Sequence, residues 1–128
     1  METITYLDTH VVVWLFDGKI DEFPKEAQDQ IQQSLLRISP MVDLELHYLH
    51  EIGKITTKPE EIINTLQNLI DLQVEDFSGS KIINIAKSLQ WTRDPFDRII
   101  TAQAKASNSK ILTKDKMIHK NYNRAVWG

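Results

Sequence analysis

The sequence predicts an α/β fold, with a central parallel sheet of about five strands and helices on both faces. Short apolar runs typical of buried strands alternate along the chain with longer segments whose apolar residues recur at helical spacing. The 128 residues, 41% of them hydrophobic and 26% charged, suit one domain with an ordinary core. No repeat, linker or low-complexity tract divides the chain, so we assign residues 1–128 to a single domain.

The first quarter of the chain predicts one strand and two helices. Ile4–Leu7 is an apolar run of the kind that forms a short buried strand, and Asp8 suits the N-cap of a helix over Val11–Phe16. A second helix is predicted over Pro24–Ser34, because proline fits the first turn and apolar residues follow at helical spacing.

The middle of the chain predicts a strand and two helices. Leu35–Ile38 is the second predicted strand. Pro40 suits the first turn of the helix after it, predicted over Met41–Gly53 and ended by glycine. Pro59 begins the next helix, whose apolar residues recur at helical spacing. These residues are Ile62, Ile63, Leu66, Leu69 and Ile70.

The last part of the chain completes the predicted sheet. Leu72–Phe77 is predicted as the third strand and Lys110–Thr113 as the fourth. Between them, Ser78–Ser88 and Pro95–Ser107 are predicted helices. Arg124–Trp127 is a candidate fifth strand at the sheet edge. Strands separated by helices favour parallel pairing, because parallel neighbours need a crossover connection.

The composition excludes several classes of protein. The chain has no cysteine, which rules out disulfides, a thiolate nucleophile and thiolate-bound zinc. No apolar run approaches the roughly 20 residues of a membrane span, and the first residues lack the pattern of a signal peptide. There is no glycine-rich phosphate loop and no Gly-x-Ser-x-Gly motif. We therefore expect a cytoplasmic location.

The net charge of −3 conceals an uneven distribution. Residues 1–80 carry 5 basic and 15 acidic side chains, whereas residues 81–128 carry 10 basic and 3 acidic ones. A basic segment of this kind fits a polyanionic substrate, whose phosphates bind cations. A solvated basic surface on a globular protein explains the same pattern equally well.

Carboxylates recur where a predicted strand ends or the helix after it begins. The C-terminal ends of parallel strands lie along one edge of the sheet, where open α/β folds place their sites. Carboxylates gathered there repel one another unless a hard divalent cation holds them, and oxygen ligands suit Mg²⁺ or Mn²⁺. The sequence thus predicts a metal-dependent enzyme acting on phosphoryl or phosphodiester groups. The candidate residues are Asp8, Glu45, Asp94, Asp97 and Asp115.

Glu45 has the most unusual position of the five. On a helical wheel of about 100° per residue it falls on the apolar face, opposite His47 and His50, which we expect to be solvated. A buried carboxylate is costly unless a cation or a hydrogen-bond donor compensates it. An internal ion pair with Lys or Arg is the structural alternative to a functional role. The apolar face also carries Met41, Leu49 and Ile52.

Helix capping is the competing explanation for Asp8 and Asp94. Asp8 suits an N-cap, although Thr9 can provide the cap instead. Asp94 directly precedes Pro95, and a cap role explains it fully. Asp97 lies in the first turn of that helix, where the helix dipole favours a negative charge. We therefore prefer Asp97 as the metal ligand and Asp94 as the cap or as a group that hydrogen-bonds the ligands.

Asp115 follows the fourth predicted strand and has the same competing explanation. It can cap a short helix over Lys116–Lys120, but its position directly after the strand favours a metal role. Thr113 can hydrogen-bond a carboxylate or a bound water, or is simply a strand residue. We expect His119 at the surface.

Four segments, taken in order, resemble PIN-domain ribonucleases and look most like the VapC-type toxins of bacterial toxin–antitoxin systems. Each segment alone is a weak motif, whereas four in this order are fairly specific. The resemblance extends from about residue 4 to the C-terminus. The segments are Tyr6–His10 with Trp14, Glu45-Leu46 before Gly53–Ile55, Arg93–Arg98 with Ala102–Ala104, and Leu112–Asp115.

The resemblance implies a five-stranded parallel sheet and an RNA-cleaving site that depends on Mg²⁺ or Mn²⁺. It leaves open which acid of the Asp-Pro-Phe-Asp segment is the ligand. The implied metal pocket consists of Asp8, Glu45, Asp97 and Asp115, with Asp94 as the fifth candidate.

The resemblance also implies partners for this chain. These are an RNA substrate, a cognate antitoxin protein and a second copy of the chain in a homodimer. Trp14 and Phe16 are the aromatic candidates for the dimer surface.

Two alternative functions are also consistent with the sequence. A receiver domain has five parallel strands and an acidic Mg²⁺ pocket, with Asp76 as phospho-acceptor and Lys114 as the lysine after a late strand. Receivers need an adjacent acidic pair after the first strand, and here Asp8 stands between Leu7 and Thr9. The second alternative is a non-catalytic module that binds RNA or a protein through the same pocket.

Overall fold

A five-stranded, all-parallel sheet in the order β3-β2-β1-β4-β5 forms the centre of the molecule. The computed structural model describes residues 3–128. In the central strand, Thr5 pairs with Leu36 on one side and with Lys110 on the other. The α/β fold with a parallel sheet is therefore confirmed. The strands are β1 Thr3–Leu7, β2 Ser34–Ile38, β3 Gln73–Val74, β4 Lys110–Leu112 and β5 Ala125–Val126.

Helices connect the strands and cover both faces of the sheet. Side chains of Asp8, Ser39, Asp94 and Asp115 cap four of them by accepting backbone N–H groups, and three helices begin with proline. A short 3-10 helix, Ile20–Glu22, precedes the second α-helix. The α-helices of residues 3–128 are α1 Thr9–Phe16, α2 Lys25–Gln33, α3 Pro40–Glu51, α4 Pro59–Ile70, α5 Gly79–Lys87, α6 Pro95–Ala106 and α7 Lys116–Asn121.

The core lies on both faces of β1, because successive strand residues point to opposite sides. Leu7 belongs to the larger cluster, which α1, α3 and α4 complete, whereas Tyr6 packs on the other face with Ile111 and Ile118. Each fully buried aliphatic side chain stabilises the fold by about 1.5–3 kcal/mol. Burial on both faces fixes the register of β1 and thereby the position of Asp8 at its end.

The third strand is shorter than predicted, because only Gln73–Val74 of the segment Leu72–Phe77 pairs. β3 is an edge strand whose single neighbour, β2, ends at Ile38. The Glu75 N–H donates to the Ile38 carbonyl at 2.9 Å, and beyond it β2 turns into α3. Leu72, an apolar residue of the predicted strand, is fully buried in the core but lies just before β3.

The strand order excludes the receiver arrangement. In the flavodoxin-like order 2-1-3-4-5 the third strand adjoins the first, whereas β2 lies between them here. Asp76 accordingly lines a cavity with Tyr6 and Lys81, and Lys114 lines a different one with Asp8. A phospho-acceptor at Asp76 therefore has no partner lysine at Lys114.

The helices are short. Within residues 3–128, none has the length and apolar character needed to cross a membrane.

Candidate acidic active site

Asp8 stands where β1 ends and α1 begins, and its carboxylate is buried with only 7% of the residue exposed. Oδ1 accepts the Thr9 N–H at 2.8 Å, which caps α1. Oδ2 accepts the Thr113 hydroxyl at 2.7 Å. Burial raises the pKa of Asp8 above its ordinary value, and the two hydrogen bonds partly offset that rise. Asp8 is thus both a cap and a side chain held toward β4.

Glu45 lies in the second turn of α3 and is partly buried. Its Oε1 accepts a short hydrogen bond from the hydroxyl of Thr9. Burial raises the pKa of Glu45, and the negative charges of Asp8 and Asp94 raise it further. In the described part of the chain no Lys or Arg forms an ion pair with it. The internal ion pair considered from the sequence is therefore not what holds this carboxylate.

The predicted apolar face of α3 was partly wrong. Val42 and Leu46 are the fully buried residues of the helix, whereas Ile52 is 48% exposed. Glu45 sits beside this buried stripe and turns toward the start of α1. The helical wheel correctly identified Glu45 as a partly buried carboxylate. It centred the buried face on Glu45, whereas the observed centre lies one residue later, at Leu46.

Asp94 and Asp97 play different structural parts at the start of α6. Asp94 is exposed, and its Oδ1 accepts the N–H groups of Phe96 at 2.8 Å and Asp97 at 3.4 Å. The cap predicted for Asp94 is therefore present. The Asp97 carboxylate is half-buried, and no described residue contributes a hydrogen bond that lowers its pKa.

Asp97 has a strongly perturbed environment. Its pKa is raised to about 8 from the ordinary 3.8, chiefly by burial. Nearby negative charges act in the same direction, because each disfavours a further charge. They come from Asp94, Asp8, Asp115 and Glu45. All five candidate acids therefore act electrostatically on one region at the carboxyl edge of the sheet.

Thr113 links the remaining acid to Asp8. The Asp115 carboxylate caps α7 by accepting the N–H groups of Met117 at 2.8 Å and Ile118 at 3.0 Å. The Asp115 N–H donates to the Thr113 hydroxyl at 3.0 Å, and that hydroxyl donates to Asp8. Thr113 is fully buried and donates a hydrogen bond to a carboxylate, which is one of the roles that we considered for it from the sequence.

Two contributors to the site were underestimated from the sequence. Thr9 was considered only as a cap, yet it is fully buried as the hydrogen-bond donor to Glu45. His119, although exposed as predicted, places Nε2 2.6 Å from the Thr113 carbonyl, so that Nε2–H is the donor. The signal for His119 is its spacing of four from Asp115, which turns its ring back toward the strand end.

A cavity of about 270 Å³, which we call the acidic cavity, opens beside Asp8 and Asp115. Its lining consists of Asp8, His10, Trp14, Lys114 and Asp115. Among residues 3–128, no group of three or more acidic or histidine side chains lies close enough together to coordinate a metal ion. The donor chemistry nevertheless fits a hard cation, because every acid is an oxygen donor and their mutual repulsion is what a divalent charge relieves.

Trp14 and Phe16, proposed as exposed aromatics, instead pack within the molecule. Both are partly buried against the larger core cluster. The Trp14 ring lies 5.9 Å from that of Trp127 and 6.4 Å from that of Phe23. The large apolar side chains that are exposed lie elsewhere, among them Leu44 and Tyr48 on α3 and Leu69 on α4.

Comparison with known proteins identifies a family model that matches this sequence and solved structures with a similar fold. The sequence model of the PIN domain matches residues 5–123. A chain of the VapBC2 structure from Rickettsia felis, bound to a DNA fragment from its promoter, superposes with a TM-score of 0.70 at 18% identity and covers 98% of this chain and 100% of its own. No curated protein matches the sequence.

Two further solved structures have the same fold. A chain of the DNA-bound VapBC structure from Salmonella typhimurium superposes with a TM-score of 0.66 at 19% identity, covering 98% of each chain. A chain of VapBC-1 from nontypeable Haemophilus influenzae gives a TM-score of 0.66 at 17% identity, covering 98% of this chain and 97% of its own. Since the family match spans nearly the whole sequence, this chain belongs to the PIN domain family.

Proposed function

We propose that this protein is a metal-dependent endoribonuclease and the toxin of a toxin–antitoxin pair, with residues 1–128 as its one catalytic domain. The observation that carries the proposal is the electrostatic state of Asp97. A carboxyl with a pKa of about 8, surrounded by four other acids, is stabilised as an anion when a divalent cation enters the site. Perturbed acids in a cleft are typical of catalytic sites.

In this proposal Asp8, Glu45, Asp97 and Asp115 hold Mg²⁺ or Mn²⁺, and Asp94 keeps its cap role. When bound, the ion supplies a Lewis acid that activates water and neutralises charge on the phosphate in the transition state. The hydroxyls of Thr9 and Thr113 orient two of the carboxylates. A carboxylate beside the ion would take the proton of the attacking water as general base.

The basic last third of the chain supports a nucleic-acid substrate. Lys114 lines the acidic cavity itself, where its charge can bind a phosphate beside the scissile one. The basic segment therefore contributes at least one cation beside the proposed metal site.

The proposed protein partners are an antitoxin and a second copy of this chain. The similar solved structures are of VapBC complexes. On this chain, Leu44, Tyr48 and Ile52 form an exposed apolar stripe along α3, with 55%, 48% and 48% of each residue exposed. Exposed apolar patches of this kind mark protein interfaces. We assign the stripe to the homodimer.

Cleavage of RNA by the purified chain tests the proposed function. Mixed RNA is incubated with the wild type in Mn²⁺, in Mg²⁺ and in EDTA, and we expect cleavage only with a metal. Asp97→Asn should lose cleavage. Asp76→Asn, which changes an exposed acid in a different cavity, is the matched control and should cut at the wild-type rate. RNA binding without cleavage in either metal would favour the non-catalytic module instead.

A further inference from the structure

A second cavity, lined largely by aromatic rings, adjoins the acidic one. It has a volume of about 230 Å³, and we call it the aromatic pocket. The ring centroids of Phe23 and Trp127 are 4.8 Å apart, and Trp14 lies 5.9 Å from Trp127. Phe23 is buried, whereas both tryptophans are only partly buried and contribute the remaining ring surface to the wall. The lining residues are Trp14, Lys19, Glu22, Phe23, Lys114 and Trp127.

The aromatic pocket is adjacent to the acidic cavity and shares a wall with it. Trp14 and Lys114 line both. The Lys114 Nζ lies 6.0 Å from the centroid of the Trp14 ring, a cation–π distance that holds the ammonium over the boundary between them. A molecule that occupies the acidic cavity at Asp8 and Asp115 therefore reaches the aromatic pocket by passing this wall.

We propose that the aromatic pocket holds one unpaired nucleobase of the RNA, adjacent to the phosphate at the acidic site. The inference rests on the proposed ribonuclease function and names its substrate as single-stranded or looped RNA. Aromatic side chains are the surfaces on which proteins stack unpaired bases. The volume, below the ~300–1,000 Å³ of pockets for drug-sized ligands, suits a single ring system.

The charged residues at the rim suit the same occupant. Lys19 and Lys114 carry the cations that bind phosphates on either side of a stacked base. Glu22 is the one acid of the lining and repels a phosphate, but its oxygens accept the amino hydrogens of a base. A base inside the pocket and phosphates at its rim therefore give the aromatic rings, the two lysines and Glu22 each a favourable contact.

A double-mutant cycle that combines changes at Trp127 with abasic positions in the RNA substrate tests the proposal. Trp127→Leu keeps an apolar side chain but removes the ring, and we expect the KM for an unstructured oligoribonucleotide to rise about tenfold, with kcat unchanged. Trp127→Phe should restore most of the affinity. We then replace single nucleotides of the substrate by abasic ones. At one position this replacement should raise the KM of the wild type about tenfold, as Trp127→Leu does, and should leave the KM of Trp127→Leu unchanged. Phe77→Leu, a partly buried aromatic in another cavity, is the matched control.

A binding experiment without metal separates this inference from the proposed nuclease activity. The wild type is titrated in EDTA with the same oligoribonucleotide while tryptophan fluorescence is followed. Quenching by the intact RNA, and its loss with the abasic one, supports base stacking even if no cleavage is found. An unchanged KM in Trp127→Leu, with no abasic position coupled to it, overturns the proposal. The same holds if Trp127→Leu loses only a protein partner or only thermal stability.

Discussion

At the scale of single residues, Asp97 makes the metal-free protein sensitive to pH. Its pKa is about 8 in the folded chain and near its ordinary 3.8 when unfolded, so the folded state holds the proton more tightly. Between about pH 4 and pH 8 the unfolded chain releases that proton first, which favours unfolding. The contribution of Asp97 to stability is therefore complete below about pH 4 and is lost as the pH rises through about 8.

The Asp97→Asn variant should flatten this dependence. In EDTA, the urea midpoint of the wild type should fall from pH 5 to pH 8.5, and that of the variant should fall clearly less, because one raised carboxyl is gone. Asp8 and Glu45 still have raised pKa values, so some decline remains. Asp76→Asn is the control and should follow the wild type. Equal declines in Asp97→Asn and the wild type would show that Asp97 is not the titrating group.

Asp8→Asn separates the proposed metal role of this residue from its cap role. The amide oxygen still accepts the Thr9 N–H, so α1 keeps its cap, and the amide N–H can donate to the Thr113 hydroxyl in place of the bond that Oδ2 accepts. Removing a buried charge also relieves repulsion. The metal-free melting temperature should stay equal or rise. Metal-dependent RNA cleavage should disappear, because an amide oxygen carries no net charge to hold a hard cation. A variant that still cuts RNA, and whose melting temperature still rises with Mn²⁺, would leave Asp8 as a cap only.

At the scale of elements, one hydroxyl joins the ends of β1 and β4. Thr113 donates to Asp8 and accepts the Asp115 N–H, so Thr113→Val removes both bonds while keeping the side-chain shape. We expect a loss of about 1–3 kcal/mol in the free energy of unfolding. The apparent affinity for Mn²⁺ should also fall, because the two carboxylates are no longer fixed relative to each other. Urea unfolding and a Mn²⁺ titration measure these effects. Thr56→Val, at an exposed loop position, is the control, and an equal loss there would refute the linking role.

The sequence predicted elements well where local signals determine them. Helix α4 begins at Pro59 as predicted and contains every apolar residue predicted for it, because proline at its start and apolar spacing within it are local properties. The length of β3 was not predictable in this way, since it depends on where its only neighbour ends.

The same distinction applies to the site. The candidate acids were identifiable from local signals, because four of them follow a strand or start a helix and Glu45 interrupts the apolar face of one. The pairing of Thr9 with Glu45 was not, because it joins residues 36 positions apart in the chain. The packing of Trp14 on Trp127 likewise depends on how the C-terminal segment returns past β4.

At the scale of the whole molecule, the exposed stripe on α3 predicts a dimer. Leu44, Tyr48 and Ile52 recur every four residues and so lie along one side of the helix. The Tyr48 ring lies 6.1 Å from that of Phe96 at the start of α6, which extends the apolar surface toward the acidic site. Burial of this surface against a second copy removes it from water and stabilises association.

Light scattering at micromolar concentration should therefore give the mass of two chains for the wild type. Tyr48→Lys should give a single chain, since an ammonium group in the centre of an apolar interface is costly to desolvate. Leu69→Lys is the matched control: Leu69 is more exposed, at 74%, but lies on α4 outside the stripe, and this variant should remain a dimer. A monomeric wild type would refute the dimer, and a dimeric Tyr48→Lys would place the interface elsewhere. Circular dichroism of both variants confirms that the change in mass reflects association and not unfolding.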